Sequence, residues 1–530
     1  MEADAAIATA APHAEYDLHS HKWLIALAVM LGTTLEVLDT SIVNVALPHM
    51  QGSFSASVDE IAWVLTSYLV ANGVMIPMTG WISSRFGRKR YFLTSVFVFV
   101  AASALCGAAH TLDQMVLFRL IQGAAGAAMI PSSQAILMET FPPEEQQMGM
   151  AVWGVGLMVA PILGPTLGGW ITDNWNWRWN FYINIPIGIV AFLMVSAFVH
   201  DPSYLRERRA RGGHVDYIGI SLLAGSLGLM QIVLDRGQRA DWFNSPWVIY
   251  ATIASAGAGL LLIWRELSFS DPIIDLRIFK NRVFSVAVTL MVWFSAVLFG
   301  TLLLNPIFLQ ELMGYTAWGA GTVQAPRGLG SMLSMMIIGQ LGRTRVNTRP
   351  LIGVGFTLMA ISLWVMSGWN LQVGMWNVIW PNALMGLGLG LIFPTVSALS
   401  FSTVNPERIG YASSLYNMMR NSGAAIGIAY MTATLVARQQ IYQARLTEHF
   451  SVFDAWRLTK AAPPMPGSPT FLIGPGHAQS LGLVYGMIQQ QASMLAFNDI
   501  YRSLAAATVI AIPLFLLMGG AKPSAGVSAH

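Results

Sequence analysis

The chain has 530 residues, of which 55% are hydrophobic and 10% charged, with a mean hydropathy of +0.56 and a formal net charge of +3. A soluble domain carries about 25% charged residues, so this composition excludes a soluble globular protein with or without a single anchor and indicates a polytopic membrane protein. One cysteine, Cys106, excludes an intrachain disulfide and a cysteine metal cluster, and the ten His form no H-E-x-x-H or other close ligand pair. Residues 1–21 are polar and lack a positively charged start, so no cleavable leader is expected and the first apolar run both targets and anchors.

A membrane helix needs about 20 mostly apolar residues. Fourteen runs qualify in chain order: 23–48, 60–81, 91–110, 113–139, 149–171, 181–199, 217–235, 247–265, 283–310, 316–341, 350–368, 378–403, 410–436 and 500–518. With the N-terminus inside, one side collects Arg85, Arg88, Lys89 and Arg90, then the arginines of 206–211, Arg265 to Arg282, and Arg343 to Arg349. The short loops opposite hold Arg178, Arg236 and Arg239. That asymmetry places both termini in the cytoplasm. The segment 437–498 is then a long periplasmic loop: "ARQQIYQARLTEHF" continues the preceding helix, and "AAPPMPGSPTFLIGPGH" is irregular.

Landmarks recur at a spacing of about 260 residues: Pro48 with Pro306, Gly80 with Gly339, Pro131 with Pro394, and Gly149 with Gly410. Two parallel six-helix halves with two inserted helices are the expected arrangement, a transporter layout with its site between the halves. The expected division is a tail over 1–22, a six-helix bundle over 23–199, a linker and two inserted helices over 200–282, a second bundle over 283–518, and a tail over 519–530. The fold class expected is an all-α polytopic membrane protein.

Ionisable side chains well inside these spans are few: Glu36 and Asp39 in the first, Arg119 in the fourth, Arg327 in the tenth and Arg420 in the thirteenth. Such residues are rare in membranes and usually functional. Glu36 and Asp39, three apart, share a helix face, and a shielded carboxylate that takes up and releases hydrogen ions is the chemistry of a proton carrier. Arg119 is always charged and needs acceptors, a carboxylate of the first span being the obvious one; Gln122 lies on its face. Protonating Asp39 would deprive Arg119 of its partner and bias the helices toward another arrangement. Arg420, Arg327, Asn305 and Gln122 are candidate substrate contacts, although the buried amides also suit helix–helix hydrogen bonds.

Span five carries "GVGLMVAPILGPTLGGW", with Gly156, Ala160, Gly164 and Gly168 every four residues, a small-residue stripe that lets another helix approach closely. None of the five Lys follows a Gly, so no phosphate-binding loop is present and transport must draw on an ion gradient or be passive.

The same residues carry a resemblance. "LDTSIVNVALP" at 38–48, "RLIQG" at 119–123 and "APILGPTLGGW" at 160–170 resemble three signatures of fourteen-helix drug:proton antiporters of the major facilitator superfamily. "FYINIPIGI" at 181–189, "LDRGQRADWF" at 234–243 and the long outer loop resemble the EmrB subfamily. The resemblance implies a bacterial inner-membrane exporter of hydrophobic or amphipathic toxic compounds. It implies protons as coupling ion with no cofactor, a periplasmic adaptor of the EmrA type, and an outer-membrane channel of the TolC type. It places Asp39 at the acidic position of the first signature and Arg119 and Gln122 in the second. Gly164, Pro165, Gly168 and Gly169 fall in the antiporter motif, and Arg420 at a basic position of span thirteen. Ser84 stands where the superfamily loop usually has Asp, Glu36 where some relatives have Gln, and Arg327 belongs to no signature. Neither an enzyme nor a nucleic-acid partner is expected; a dedicated exporter of one metabolite, such as a siderophore or fatty acid, is the alternative.

Overall fold

The computed structural model describes residues 21–202, 216–269, 272–343, 347–448 and 478–518. The tails, the arginines of 206–211 and the Pro/Gly-rich middle of the outer loop lie outside the described residues. Fourteen long helical segments run through the rest: α1 Lys22–Phe54, α2 Asp59–Phe86, α3 Arg88–Ala108, α4 Leu112–Thr140, α5 Gln146–Asn174, α6 Trp179–Phe198 and α7 Tyr217–Arg236. They continue with α8 Pro246–Ser268, α9 Arg282–Leu312, α10 Ala317–Arg343, α11 Pro350–Met366, α12 Met375–Ser402, α13 Ile409–Glu448 and α14 Ala478–Ala511. Eleven are long and apolar enough to cross a bilayer. Of the others, α11 has 17 residues, while α10 and α13 carry Arg327 and Arg420 among polar neighbours.

Three segments are interrupted where the sequence removes backbone donors. Pro77 sits in a 3₁₀ turn, Ile76–Met78, inside α2. In α4 the missing N–H of Pro131 leaves the Ala127 carbonyl without its helical partner, and the helix divides into Leu112–Gly126 and Met129–Thr140. Past Pro306, α9 ends in a π turn, Phe308–Leu312.

The first part of the outer segment 437–498 continues the preceding helix as expected, and its last part departs from the expected loop. α13 continues unbroken to Glu448 and α14 already begins at Ala478. Their projecting parts pair through Gln439–Ser493 at 2.9 Å, Tyr442–Asp499 at 2.7 Å, Gln443–Tyr485 at 3.0 Å and Arg438–Asp499 at 3.5 Å. Periodic hydropathy misses the outer turns of α14 because their side chains bond those of α13 instead of facing lipid.

Corresponding helices of the two halves meet through corresponding glycines. A Cβ on Gly123 of α4 would lie 2.3 Å from the Tyr68 carbonyl oxygen of α2, and one on Gly386 of α12 would lie 2.0 Å from that of Arg327 in α10. Each member of one pair is about 260 residues from its counterpart.

The halves touch each other at the end that carries the basic loops. Gly80 of α2 lies against the backbone of Gly410 and Tyr411, and Ser84 Oγ is 3.1 Å from the Tyr411 hydroxyl, so a neutral contact occupies the position of the missing Asp. Ser413 donates to the Pro131 carbonyl at 2.7 Å and Asn417 to Gln134 at 2.5 Å. On the opposite seam Gln147 donates to Thr348 at 2.6 Å, and Trp153 stacks on Phe393 with centroids 5.9 Å apart.

Gly123→Val and Gly386→Val should each cost about 1–3 kcal/mol or more by overpacking, read as a lower apparent Tm of the detergent-solubilised protein. Gly52→Ala, at a position with nothing within 4 Å of the added carbon, should melt with the wild type.

Candidate functional site

α1 is apolar over most of its length, which lets it lie in the interior and carry its two carboxylates there: Asp39 is 0% and Glu36 6% exposed. Asp39 Oδ2 accepts from Arg119 Nη1 at 2.5 Å, while Oδ1 accepts from Gln122 Nε2 at 2.9 Å and Asn184 Nδ2 at 2.7 Å. Arg119 also donates to Gln122 Oε1 at 2.8 Å and, through Nε, to the Val64 carbonyl at 3.2 Å. Its guanidinium lies 4.3 Å from the ring centre of Tyr68 and 5.9 Å from that of Phe181. Asn184 is held in turn by Ser103 Oγ at 3.0 Å. Five helices, α1, α2, α3, α4 and α6, thus close a buried polar cluster in the first half.

Glu36 has separate partners. Asn72 Nδ2 of α2 donates to its Oε1 at 3.0 Å, and its Oε2 is buried without a hydrogen bond. It sits beside the break in α4, where a Cβ on Gly126 would be 3.4 Å from Glu36 Cγ. Arg420 of α13 lies within coulombic reach from the second half. The two acids therefore share a helix but not a site: Asp39 is enclosed within the first half, and Glu36 faces the boundary between halves.

The antiporter motif packs on the same helix. A Cβ on Gly164 would be 2.3 Å from Ser41 Cβ, one on Gly168 3.1 Å from Ile42 Cα, and one on Gly169 3.8 Å from Val45. The stripe sets α5 against α1 within a turn of Asp39. Pro165 lies on the same unbroken helix; its side chain is outside the described residues.

The four candidate substrate contacts do not converge. Gln122 is 0% exposed and committed to Asp39 and Arg119. Arg327 is 5% exposed and bonds Thr301 Oγ1 at 2.8 Å and the Leu298 carbonyl at 3.3 Å. Asn305 donates to Asn382 at 3.0 Å and accepts from the Tyr501 hydroxyl at 2.7 Å. All three are buried and hydrogen-bond to neighbouring helices, and Arg327 keeps its Nη1 without a hydrogen bond among the described residues. Arg420 is partly exposed and makes no hydrogen bond or ion pair among the described residues. Asn184, Tyr68 and Ser103 complete the Asp39 cluster without having been singled out from the sequence; a lone Asn inside the apolar "FYINIPIGI" is the signal that marks the first of them.

A carboxylate that accepts from three donors, one of them a buried arginine, lies inside the apolar helices of a polytopic membrane protein. The chain matches the Major Facilitator Superfamily over residues 29–428. It is 34% identical to the "Multidrug export protein EmrB" of Escherichia coli over 95% of this chain and 96% of that one. It is 35% identical to the protein of the same name from Haemophilus influenzae over 81% and 84%, and 34% identical to the "Fatty acid resistance protein FarB" of Neisseria gonorrhoeae over 94% and 96%. Among solved structures, the human organic anion transporter MFSD10 superposes with a TM-score of 0.59 at 15% identity, over 93% of this chain and 99% of that one. The proton:xylose symporter XylE gives 0.59 at 14%, over 93% and 96%. The chain belongs to the major facilitator superfamily, as one of its EmrB-type members: a multi-pass membrane protein of a transporter family.

Removing one member of a buried ion pair costs about 3–5 kcal/mol because the other charge is left uncompensated. Arg119→Met should lower the apparent Tm far more than Arg119→Met combined with Asp39→Asn, a coupling that a double-mutant cycle on purified protein measures directly.

Proposed function

We infer that this chain is a proton-driven multidrug exporter that moves hydrophobic or amphipathic compounds out of the cytoplasm by alternating access. The observation that carries the reading is the enclosure of Asp39 by Arg119, Gln122 and Asn184. An ionised Asp39 neutralises Arg119; a protonated one leaves the guanidinium charged and uncompensated in a low-dielectric interior, so loading a proton favours a different packing of α1, α4 and α6. Entry of a proton down the gradient then drives the return stroke, each charge crossing a 100 mV potential supplying about 2.3 kcal/mol. The family and its EmrB relatives favour transport over enzymatic turnover.

Arg420, an unpaired cation at the boundary of the halves, is the proposed contact for an anionic or electron-rich part of a substrate, with Glu36 balancing it when the site is empty. The relative named for fatty acid resistance makes an amphipathic acid a fitting first substrate, and a dedicated exporter of such an acid is the second reading. The proposed location is a bacterial inner membrane, which the EmrB relatives support, with both termini cytoplasmic, which the basic residues gathered in the loops of one side support. An EmrA-type adaptor and a TolC-type outer-membrane channel are the proposed partners on the other.

In proteoliposomes with an imposed pH gradient, Asp39→Asn should abolish gradient-driven export while leaving the protein inserted; export at the wild-type rate would refute the coupling role. Arg420→Ala should reduce transport of anionic amphiphiles about tenfold, the worth of one charge-assisted contact, and leave cationic dyes nearly unaffected. A panel of both kinds of compound separates this from a single-metabolite exporter.

A further inference from the structure

We propose that the inserted α7–α8 hairpin is a fixed part of the first half, so that the sliding surface of the transport cycle lies between α7 and α13. The inference rests on the alternating-access reading and concerns which helices move together.

The two sides of α7 are bonded very differently. Toward α2 it is tied at its outer end by several polar contacts. Thr66 donates to Asp235, and Arg236 Nη1 donates to the Asp59 carbonyl at 3.0 Å. The Arg236 guanidinium stands 4.6 Å from the Trp63 ring centre, and Arg239 pairs with Asp59 at 3.2 Å. Two turns deeper, Gly228 lets α7 lie directly on Val70 and Val74, whose methyls are 3.8 and 3.5 Å from where its Cβ would be.

Toward α13 the contact is a meeting of two amides over a glycine. The site of a Cβ on Gly73 is 3.6 Å from Asn421 Nδ2 and 4.0 Å from Gln231 Oε1. Neither amide makes a hydrogen bond among the described residues. Gln231 is only 9% exposed, so it holds an uncommitted polar head inside the seam, where it can exchange partners as α13 passes. α7 therefore covers the α2–α13 seam while being fastened to one side of it.

The inner end agrees. Arg265 grips Asp216 at 2.8 Å, and Glu266 accepts from the Ile274 N–H at 3.2 Å, closing the hairpin on itself. Immediately beyond, the chain is held by the second half: Asp275 pairs with Arg408 at 3.2 Å, and Asn281 donates to the Thr403 carbonyl at 3.0 Å. The passage from one moving body to the other falls between Ile274 and Asp275, and α1–α8 move against α9–α14.

Two cysteine pairs test this in proteoliposomes, with the buried Cys106 left in place. Thr66→Cys with Asp235→Cys replaces hydrogen-bonded side chains and is joined by a short thiol-reversible cross-linker. Gln231→Cys with Asn421→Cys is joined by a short thiol-reversible cross-linker. The first bridge should leave transport within about twofold of the reduced protein, and the second should cut it about tenfold or more until reductant is added, because it joins two moving bodies. Arrest by the first bridge, or free transport through the second, overturns the assignment. Spin labels at the same positions give a readout independent of activity. Between low and high pH the 66–235 distance should hold and the 231–421 distance should change; the reverse also overturns it. Loss of gradient dependence in the reduced protein would strike the proton-coupled reading instead, and leave the distance measurement to decide the hairpin.

Discussion

Asp39 and Arg119, 2.5 Å apart and both 0% exposed, set the conditions for the rest of the structure. Removing two opposite charges from water is costly, and their attraction offsets that cost only when the remaining donors and acceptors are also satisfied. Gln122, Asn184 and the Val64 carbonyl supply most of those partners, and the Tyr68 ring lies 4.3 Å from a guanidinium whose Nη2 makes no hydrogen bond among the described residues; they come from helices packed around α1. Hence the glycines: Gly123 against the α2 backbone, and Gly164 and Gly168 against Ser41 and Ile42. The charge pair and the small-residue contacts form one unit, because a helix displaced by an added methyl group would also lose its hold on the carboxylate.

The second half repeats the shape without the charge. Asn382 stands about 260 residues from Arg119 at the matching place in α12, and with Asn305 and Tyr501 it forms a neutral counterpart of the Asp39 cluster. Arg327 occupies the place of Tyr68 and is spent on Thr301 and a backbone carbonyl. One bundle keeps a buried ion pair and the other a neutral polar core.

The membrane helices were legible because twenty-residue apolar runs have no other stable solution, and the five intramembrane ionisable residues stood out against them. The pairing of Arg119 with a first-helix carboxylate was legible for the same reason, since a buried guanidinium must find an acceptor. What the chain did not disclose was direction. Spacing placed Glu36 and Asp39 on one face, yet a helix face three residues wide touches several neighbours, and packing sent one acid inward and the other to the boundary. Gln122, Arg327 and Asn305 were chosen for polarity, and in the fold that polarity is consumed by neighbouring helices. The outer extension of α13 was read from the sequence, while hydropathy hid the outer turns of α14, whose residues are polar because they bond those of α13.

α13 is one unbroken helix of 40 residues, about 60 Å at 1.5 Å per residue, roughly twice the thickness of a bilayer's hydrocarbon core. Its inner end is bonded to α4 of the opposite half through Ser413 and Asn417, and its far end runs alongside α14. A stiff rod pivoting at its base is a lever: a tilt of about 10° would carry the tip some 10 Å sideways over that length. Any small rotation of the halves about that base would thus be delivered, enlarged, at the far tip of the rod.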